Sequence, residues 1–162
     1  MNFMNLKSFG SKLNGIYLIK KGIVGGITYY KDKIFLSYVY KQGDFLAIDK
    51  FQYEIGIIDY YCFTDVEYEF IEDEELFKRI KEDKEFAKNF YKFLKDYTME
   101  VTAFSREEPE KILYYNLKKI KEYGGILKGI HKDFVNEFKL KPYFDKMIEN
   151  KKIKLVDQYY CL

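Results

Sequence analysis

The sequence predicts an α+β protein in three parts: an antiparallel β-barrel or jelly-roll domain over residues 1–81, a long helix over 82–106, and a C-terminal winged helix-turn-helix over 107–162. Three observations carry this. From Leu13 to about Tyr68, short runs of β-branched and aromatic residues alternate with turn formers. A strongly charged stretch follows, in which Phe86, Phe90, Phe93, Leu94, Tyr97, Val101 and Phe104 recur at three- and four-residue spacing, on one side of a helix. Beyond Pro109 the pattern reads as helices, a tight turn and a terminal hairpin in winged helix-turn-helix order.

The first part divides into runs such as GIYLIKKG, IVGGITYY, IFLSYVY and FLAI, with Gly22, Gly25, Gly26 and Gly43 as punctuation and Lys31-Asp32-Lys33 as a hairpin link. Alternation at Val66, Tyr68 and Phe70 marks a last strand. Glu72–Arg79 begins a short helix with its acids at the N-terminal turn, where they oppose the positive end of the helix dipole. The long helix then either packs on its own domain for its full length or forms a seam between two subunits. Pro109 suits a helix first turn, and the helix it opens runs to about Tyr123, with Ile112, Leu113, Leu117 and Ile120 on one face and Gly124-Gly125 as the stop. A helix near His131–Phe138, a second from Pro142 to Asn150, and strands Ile153–Val156 and Tyr159–Leu162 around Asp157-Gln158 complete the chain.

The overall charge of +2 conceals an asymmetry: residues 1–117 carry a net −3 and residues 118–162 a net +5, which favours an anionic partner at the C-terminal end. Cys62 and Cys161 are far apart and form no CxxC pair, so reduced thiols are expected in place of a disulfide framework or metal site. No apolar run is long enough to span a membrane and MNFMNLKSFG lacks a signal-peptide core, so a soluble, cytoplasmic protein is expected.

Several stretches resemble the CRP/FNR family of bacterial transcription regulators: IYLIKKGIV (16–24), LSYVYKQGDF (36–45), the charged long helix, EPEKILYYNLKKI (108–120) and KMIENKKIKLV (146–156). The aromatic, lysine-rich style is closest to the PrfA-like branch, which does not use cyclic AMP. The sequence departs from the family in three places. Met1–Asn14 leaves little room for the elements that usually open the barrel, so either the barrel is open on one side or the start lies too late. The Gly43-Asp44-Phe45 turn runs into Leu46-Ala47-Ile48-Asp49 and no arginine precedes Arg79, so the family's phosphate cassette is missing and Asp49, Glu54 and Asp59 would repel a phosphate. The recognition segment is shorter than the family pattern by about one helical turn, and Lys139-Leu140-Lys141-Pro142-Tyr143 replaces its usual arginine-bearing start.

The resemblance implies a dimeric transcription regulator that binds duplex DNA, carries out no covalent chemistry and needs no cofactor. On it, Lys139, Lys141, Lys146, Lys151 and Lys152 form a DNA-facing surface with Lys118, Lys119 and Lys132 as flanking phosphate contacts, and Tyr143 touches a sugar or a thymine methyl. The plainer reading of these side chains is a solvated lysine surface, and Tyr143 could simply pack on Phe138. Phe86, Phe90, Phe93, Leu94, Tyr97, Val101 and Phe104 are the dimerisation residues, with the barrel, a second subunit or both as their partner. His131 reads as a capping or surface residue, and Glu72-Asp73-Glu74-Glu75 as a helix N-terminal turn and not a cation site. An aromatic, apolar barrel interior fits a small organic effector or none. An enzymatic reading through the similar barrel of the cupins needs clustered metal ligands on strands, and the single histidine lies outside the barrel. The second functional class is a degenerate relative acting as a protein-interaction or dimerisation module without sequence-specific DNA binding.

Overall fold

A computed structural model describes residues 5–6, 13–30, 33–53, 57–123, 125 and 127–162. Its N-terminal half contains β1 (Asn5–Leu6), β2 (Gly15–Lys21), β3 (Val24–Tyr30), β4 (Lys33–Tyr40), β5 (Phe45–Leu46), the single turn α1 (Lys50–Tyr53), β6 (Ile58–Cys62) and β7 (Glu67–Glu72). These make a four-stranded sheet in the order β1-β6-β3-β4 and a three-stranded sheet in the order β5-β2-β7, with every pairing antiparallel. The antiparallel reading therefore holds, but the closed barrel does not: among the described residues no ladder joins the two sheets. They face each other across one core, formed by Ile16 and Ile19 from β2, Phe45 and Leu46 from β5, Ile71 from β7, and Val24, Tyr38, Tyr40, Ile58 and Tyr60 from the larger sheet. Tyr30 pairs with Lys33 across the β3–β4 hairpin, as the link there predicts, although residues 31 and 32 themselves lie outside the described set, as do Glu54 and Gly124. Strand β1, pairing with β6, has no counterpart in the sequence reading.

At its centre the larger sheet is buried on both faces. Tyr60 and Cys62 turn toward the other sheet while Tyr61 and Phe63 turn away from it, and every residue of β6 is buried. Two adjacent glycines in β3 make room for the rings on either side. A side chain at Gly25 would collide with the Phe63 ring at 2.4 Å, and one at Gly26 would meet the Tyr40 ring at 2.9 Å.

Helices α2 (Asp73–Glu82) and α3 (Lys84–Phe104) close the first core. Asp83 caps α3, its carboxylate accepting from the amides of Glu85 (3.0 Å) and Phe86 (2.9 Å). The helix is shorter than the 82–106 expected because Asp83 caps it and Ser105 closes it. Its aromatic stripe lies against the sheets of its own chain: Phe86, Phe90 and Phe93 surround Phe45 at ring separations of 5.8, 5.0 and 5.6 Å, and Tyr97 packs on Tyr38 at 5.1 Å. Leu94 and Val101 flank that core, and Phe104 meets Tyr115 edge-on at 4.9 Å.

The C-terminal half consists of α4 (Pro109–Glu122), β8 (Ile130–His131), α5 (Lys132–Glu137), α6 (Lys141–Glu149), β9 (Lys154–Val156) and β10 (Tyr159–Cys161), with the strands in the order β8-β10-β9. It shares a second core with the outward face of the larger sheet. Phe138 packs on Tyr61 with ring centres 4.6 Å apart, Phe134 packs on Phe63 at 4.9 Å, and Leu113, Leu117 and Ile120 of α4 join Ile27, Leu36 and Val39. Helix α4 also serves the edge strand β4: the buried Asn116 amide donates to the carbonyl of Leu36 (2.8 Å) and the Tyr123 hydroxyl to that of Val39 (3.2 Å). Edge carbonyls that would otherwise need water are thus satisfied by the C-terminal half.

Phe93→Ala removes a ring from between Tyr40, Phe45 and Tyr97, so it should cost about 3–5 kcal/mol of stability in urea unfolding. Because the ring packs within one chain, the loss should not depend on protein concentration; a loss that disappears at high concentration would place Phe93 at a subunit contact instead.

Candidate nucleic-acid interface

The C-terminal half presents its lysines on three neighbouring pieces: the start of α5, the turn into α6 with the helix itself, and the β9–β10 hairpin. His131 caps α5 by accepting from the Asp133 amide at 3.2 Å, and its ring meets Tyr159 at 5.0 Å, so its role here is structural. Lys132 follows as the first helical residue and makes no ion pair among the described residues. The tight turn is closed by the Leu140 amide donating to the Val135 carbonyl at 2.9 Å, and Lys139 occupies the left-handed region at φ +53°. This conformation holds the exposed Lys139 away from the core while Phe138 and Leu140 on either side are buried.

Helix α6 turns Phe144 and Met147 inward, leaving Lys141, Lys146 and Glu149 exposed and Tyr143 half-buried. Tyr143 packs against the second core, the plainer of its two expected roles. The charges of the helix are largely spent within the molecule. Lys141 pairs with Asp145 at 2.5 Å, and Lys146 reaches Glu110 of α4 at 2.8 Å. Lys152 shares the same carboxylate at 3.1 Å, and the two ammonium groups together hold Glu110 below its usual carboxylate range. With Asp145 and Glu149 balancing Lys141 and Lys146, the helix has no net side-chain charge and no arginine. Glu110 was not predicted from sequence; it lies far from Lys146 along the chain, and only the packing of α4 on α6 brings them together.

The hairpin turn at Asp157 and Gln158 has φ values of 48° and 74°, the paired left-handed geometry of a two-residue turn that follows strand twist. Strand β9 leading into it is exposed throughout, displaying Lys154, Leu155 and Val156, and Lys151 stands exposed just before it. Lys118 is also exposed, its ammonium 4.9 Å from the Tyr114 ring centre. Lys119, one residue on, turns the other way. Its ammonium pairs with Glu100 at 2.8 Å and lies 3.5 Å from the Tyr38 ring centre, with 12% of its side chain exposed. Burial pulls its pKa down despite Glu100. Of the predicted residues, Lys118, Lys139, Lys141 and Lys146 are exposed and Lys132 and Tyr143 half-buried, whereas Lys119 lies in the junction with the N-terminal half.

The N-terminal sheets hold a buried carboxylate where the resemblance would put a ligand phosphate. Asp49 accepts from the Ile57 amide (2.6 Å) and the Tyr60 hydroxyl (3.0 Å), while Tyr60 in turn accepts from the Ala47 amide (2.8 Å). Lys50 beside it pairs with Asp73 and donates to the Leu13 carbonyl. Asp59 is buried as well, accepting from the Tyr29 hydroxyl at 3.3 Å. The donors around Asp49 are therefore occupied by a residue of the chain itself. Among the described residues, no group of three or more His, Cys, Asp or Glu side chains could hold a metal ion, and no helix is long and apolar enough to cross a membrane.

No protein-family model matches the chain, and no curated protein matches it by sequence. Solved structures match it in shape. The c-di-GMP-responsive global regulator CLP of Xanthomonas campestris aligns over 99% of this chain and 89% of its own, with a TM-score of 0.70 at 11% identity. A CRP-family transcriptional regulator from Thermus thermophilus aligns over 99% and 88%, with a TM-score of 0.66 at 10% identity. A CRP/FNR-family regulator from the same organism aligns over 99% and 89%, with a TM-score of 0.63 at 13% identity. Across nearly its whole length, the chain has the fold of the CRP/FNR transcriptional regulators.

Proposed function

We propose that this chain is a dimeric transcriptional regulator of the CRP/FNR type, close to the PrfA-like branch, whose C-terminal half acts as a winged helix-turn-helix on duplex DNA without cyclic AMP. The observation that carries this reading is the full-length fold likeness together with the order α4, β8, α5, α6 and the β9–β10 hairpin in its C-terminal half. In this reading α5, the turn and α6 form the helix-turn-helix, and the hairpin is the wing. Lys118, Lys132, Lys139 and Lys141 meet the phosphates, joined by Lys151 and Lys154 of the wing. Lys146 and Tyr143 lie beside them, and Lys119 leaves the set because its charge is committed to Glu100. Binding on this surface rests mainly on phosphate contacts and therefore falls steeply with salt. The internal donors around Asp49, and the absence of arginine before Arg79, support independence from cyclic nucleotides.

The dimer seam in this proposal is not the aromatic stripe, most of which lies against the chain's own sheets, but the neighbouring face of α3. Ala87, Tyr91, Leu94, Thr98 and Val101 follow one another at alternating spacings of four and three residues, as a coiled-coil seam requires. None of them is charged, and Tyr91 is 57% exposed. Two helices meeting along this face would set two C-terminal halves apart for two half-sites.

A specific observation favours a second reading. An α6 without net charge or arginine is poorly equipped to read guanine, and that suits a dimerisation or protein-interaction module that has lost sequence-specific binding.

The purified protein should bind duplex DNA from around its own gene in preference to an unrelated duplex at physiological salt. Replacing Lys132, Lys139 and Lys141 with Glu should reduce affinity by at least an order of magnitude and flatten the salt dependence by about one unit of slope per lost phosphate contact. Weak binding, equal for both duplexes, would instead select the interaction module. In sedimentation, replacing the exposed Tyr91 with Glu should convert the dimer into a folded monomer, and a dimer unaffected by this change would exclude the proposed seam.

A further inference from the structure

Two lysines from different elements converge on one carboxylate. Lys146 of α6 meets Glu110 Oε2 of α4 at 2.8 Å, and Lys152, from the segment between α6 and β9, meets Oε1 at 3.1 Å. The carboxylate is the enclosed partner: 13% of the Glu110 side chain is exposed, against 65% for Lys146 and 46% for Lys152. Along α4, Glu110, Tyr114 and Lys118 succeed one another at four-residue spacing, on one side of the helix. The Lys118 and Lys152 ammonium groups both lie over the Tyr114 ring, 4.9 and 6.0 Å from its centre. One acid, one ring and three ammonium groups therefore form a continuous patch, reaching from α4 to α6 and to the approach to the β9–β10 hairpin.

We propose, resting on the DNA-binding reading above, that Glu110 is an internal stand-in for a DNA phosphate: it holds Lys146 and Lys152 while the protein is free, and duplex DNA must draw them off it, so that this one carboxylate limits affinity for the phosphate backbone. A carboxylate and a phosphate diester offer an ammonium group the same kind of partner, an anionic oxygen within charge-assisted hydrogen-bond distance. Each ammonium group has three N–H donors and Glu110 accepts one from each lysine, which leaves donors to begin the exchange. Two effects set its direction. Ion pairs between exposed lysines and a carboxylate hold weakly, so the lysines can leave. The carboxylate that stays behind is a negative charge beside the phosphates, and it offsets part of the positive charge that would otherwise release counterions. Glu110 therefore restrains binding more than it supports it. Phosphate contacts carry no sequence information, so the restraint lowers affinity for every duplex alike. Lys118, which makes no ion pair among the described residues, lies outside it.

The test is binding of the full-length protein to duplex DNA from around its own gene and to an unrelated duplex, each titrated with salt from about 0.05 to 0.3 M. Glu110→Gln should tighten binding to both duplexes by about tenfold near 0.1 M salt and steepen the salt dependence by about one unit of slope, with the preference between duplexes unchanged. Glu110→Ala should behave the same way. Replacing Lys146 and Lys152 with Gln should cost about twofold at most in the unmodified protein, where Glu110 already holds them, but should cancel the whole gain in the Glu110→Gln background. Equal affinity with and without Glu110, or a lysine replacement that costs the same in both backgrounds, would overturn the stand-in while leaving DNA binding intact. Failure of every one of these proteins to bind either duplex would overturn the DNA-binding reading itself, and the stand-in with it.

Discussion

The packing of Phe134 and Phe138 on Phe63 and Tyr61 is the contact on which the rest of the arrangement depends. It gives the four-stranded sheet a second buried face, so that one layer of strands supports both a core shared with the smaller sheet and a core shared with the C-terminal helices. Burying an aromatic side chain of this kind contributes about 2 kcal/mol, and several such side chains from each half enter the second core. The polar side of the same contact follows from it. Once α4 lies along β4, Asn116 and Tyr123 can supply donors to carbonyls of an edge strand, and Lys119 can be buried only because Glu100 is there to receive it.

A C-terminal half fixed in this way presents its outer surface at a set angle to the N-terminal sheets. The surface is basic in composition but muted in charge, because Glu110 and Asp145 each engage one or more of its lysines. Lys118 on α4, Lys132 at the start of α5, Lys139 in the turn, and Lys151 and Lys154 beside the hairpin make no ion pair among the described residues. The internal placement of Asp49 fits the same picture of a molecule that satisfies its polar groups from within.

Much of this is legible in the sequence, and the failures have physical reasons. The aromatic period of α3, the Pro109 start of α4, the short α5–α6 turn and the Asp157-Gln158 hairpin are local signals, and all appear within a few residues of where the sequence predicts them. The partner of a stripe is not local, so the period of Phe86 to Phe104 could not distinguish the chain's own sheets from a second subunit. Strands β1 and β8 span two residues each and are held by pairing with β6 and β10, with no pattern of their own. Two signals are present in the sequence but gain their meaning only from the structure. IFLSYVY and IDYYC are apolar on both sides, which marks strands covered on two faces. Lys119 falls three residues after Asn116 and four before Tyr123, on the buried side of α4, whereas Lys118 does not.

The central claim is that the two halves form one body through a shared core. Urea unfolding followed by hydrogen exchange and mass spectrometry, with β3 and β6 reporting on one half and α5 and α6 on the other, tests it most directly. A single transition with one midpoint for all four elements is the result this account predicts. Loss of α5 and α6 at lower urea, with β3 and β6 still protected, would contradict it and make the C-terminal half a separate domain that merely rests on the sheet.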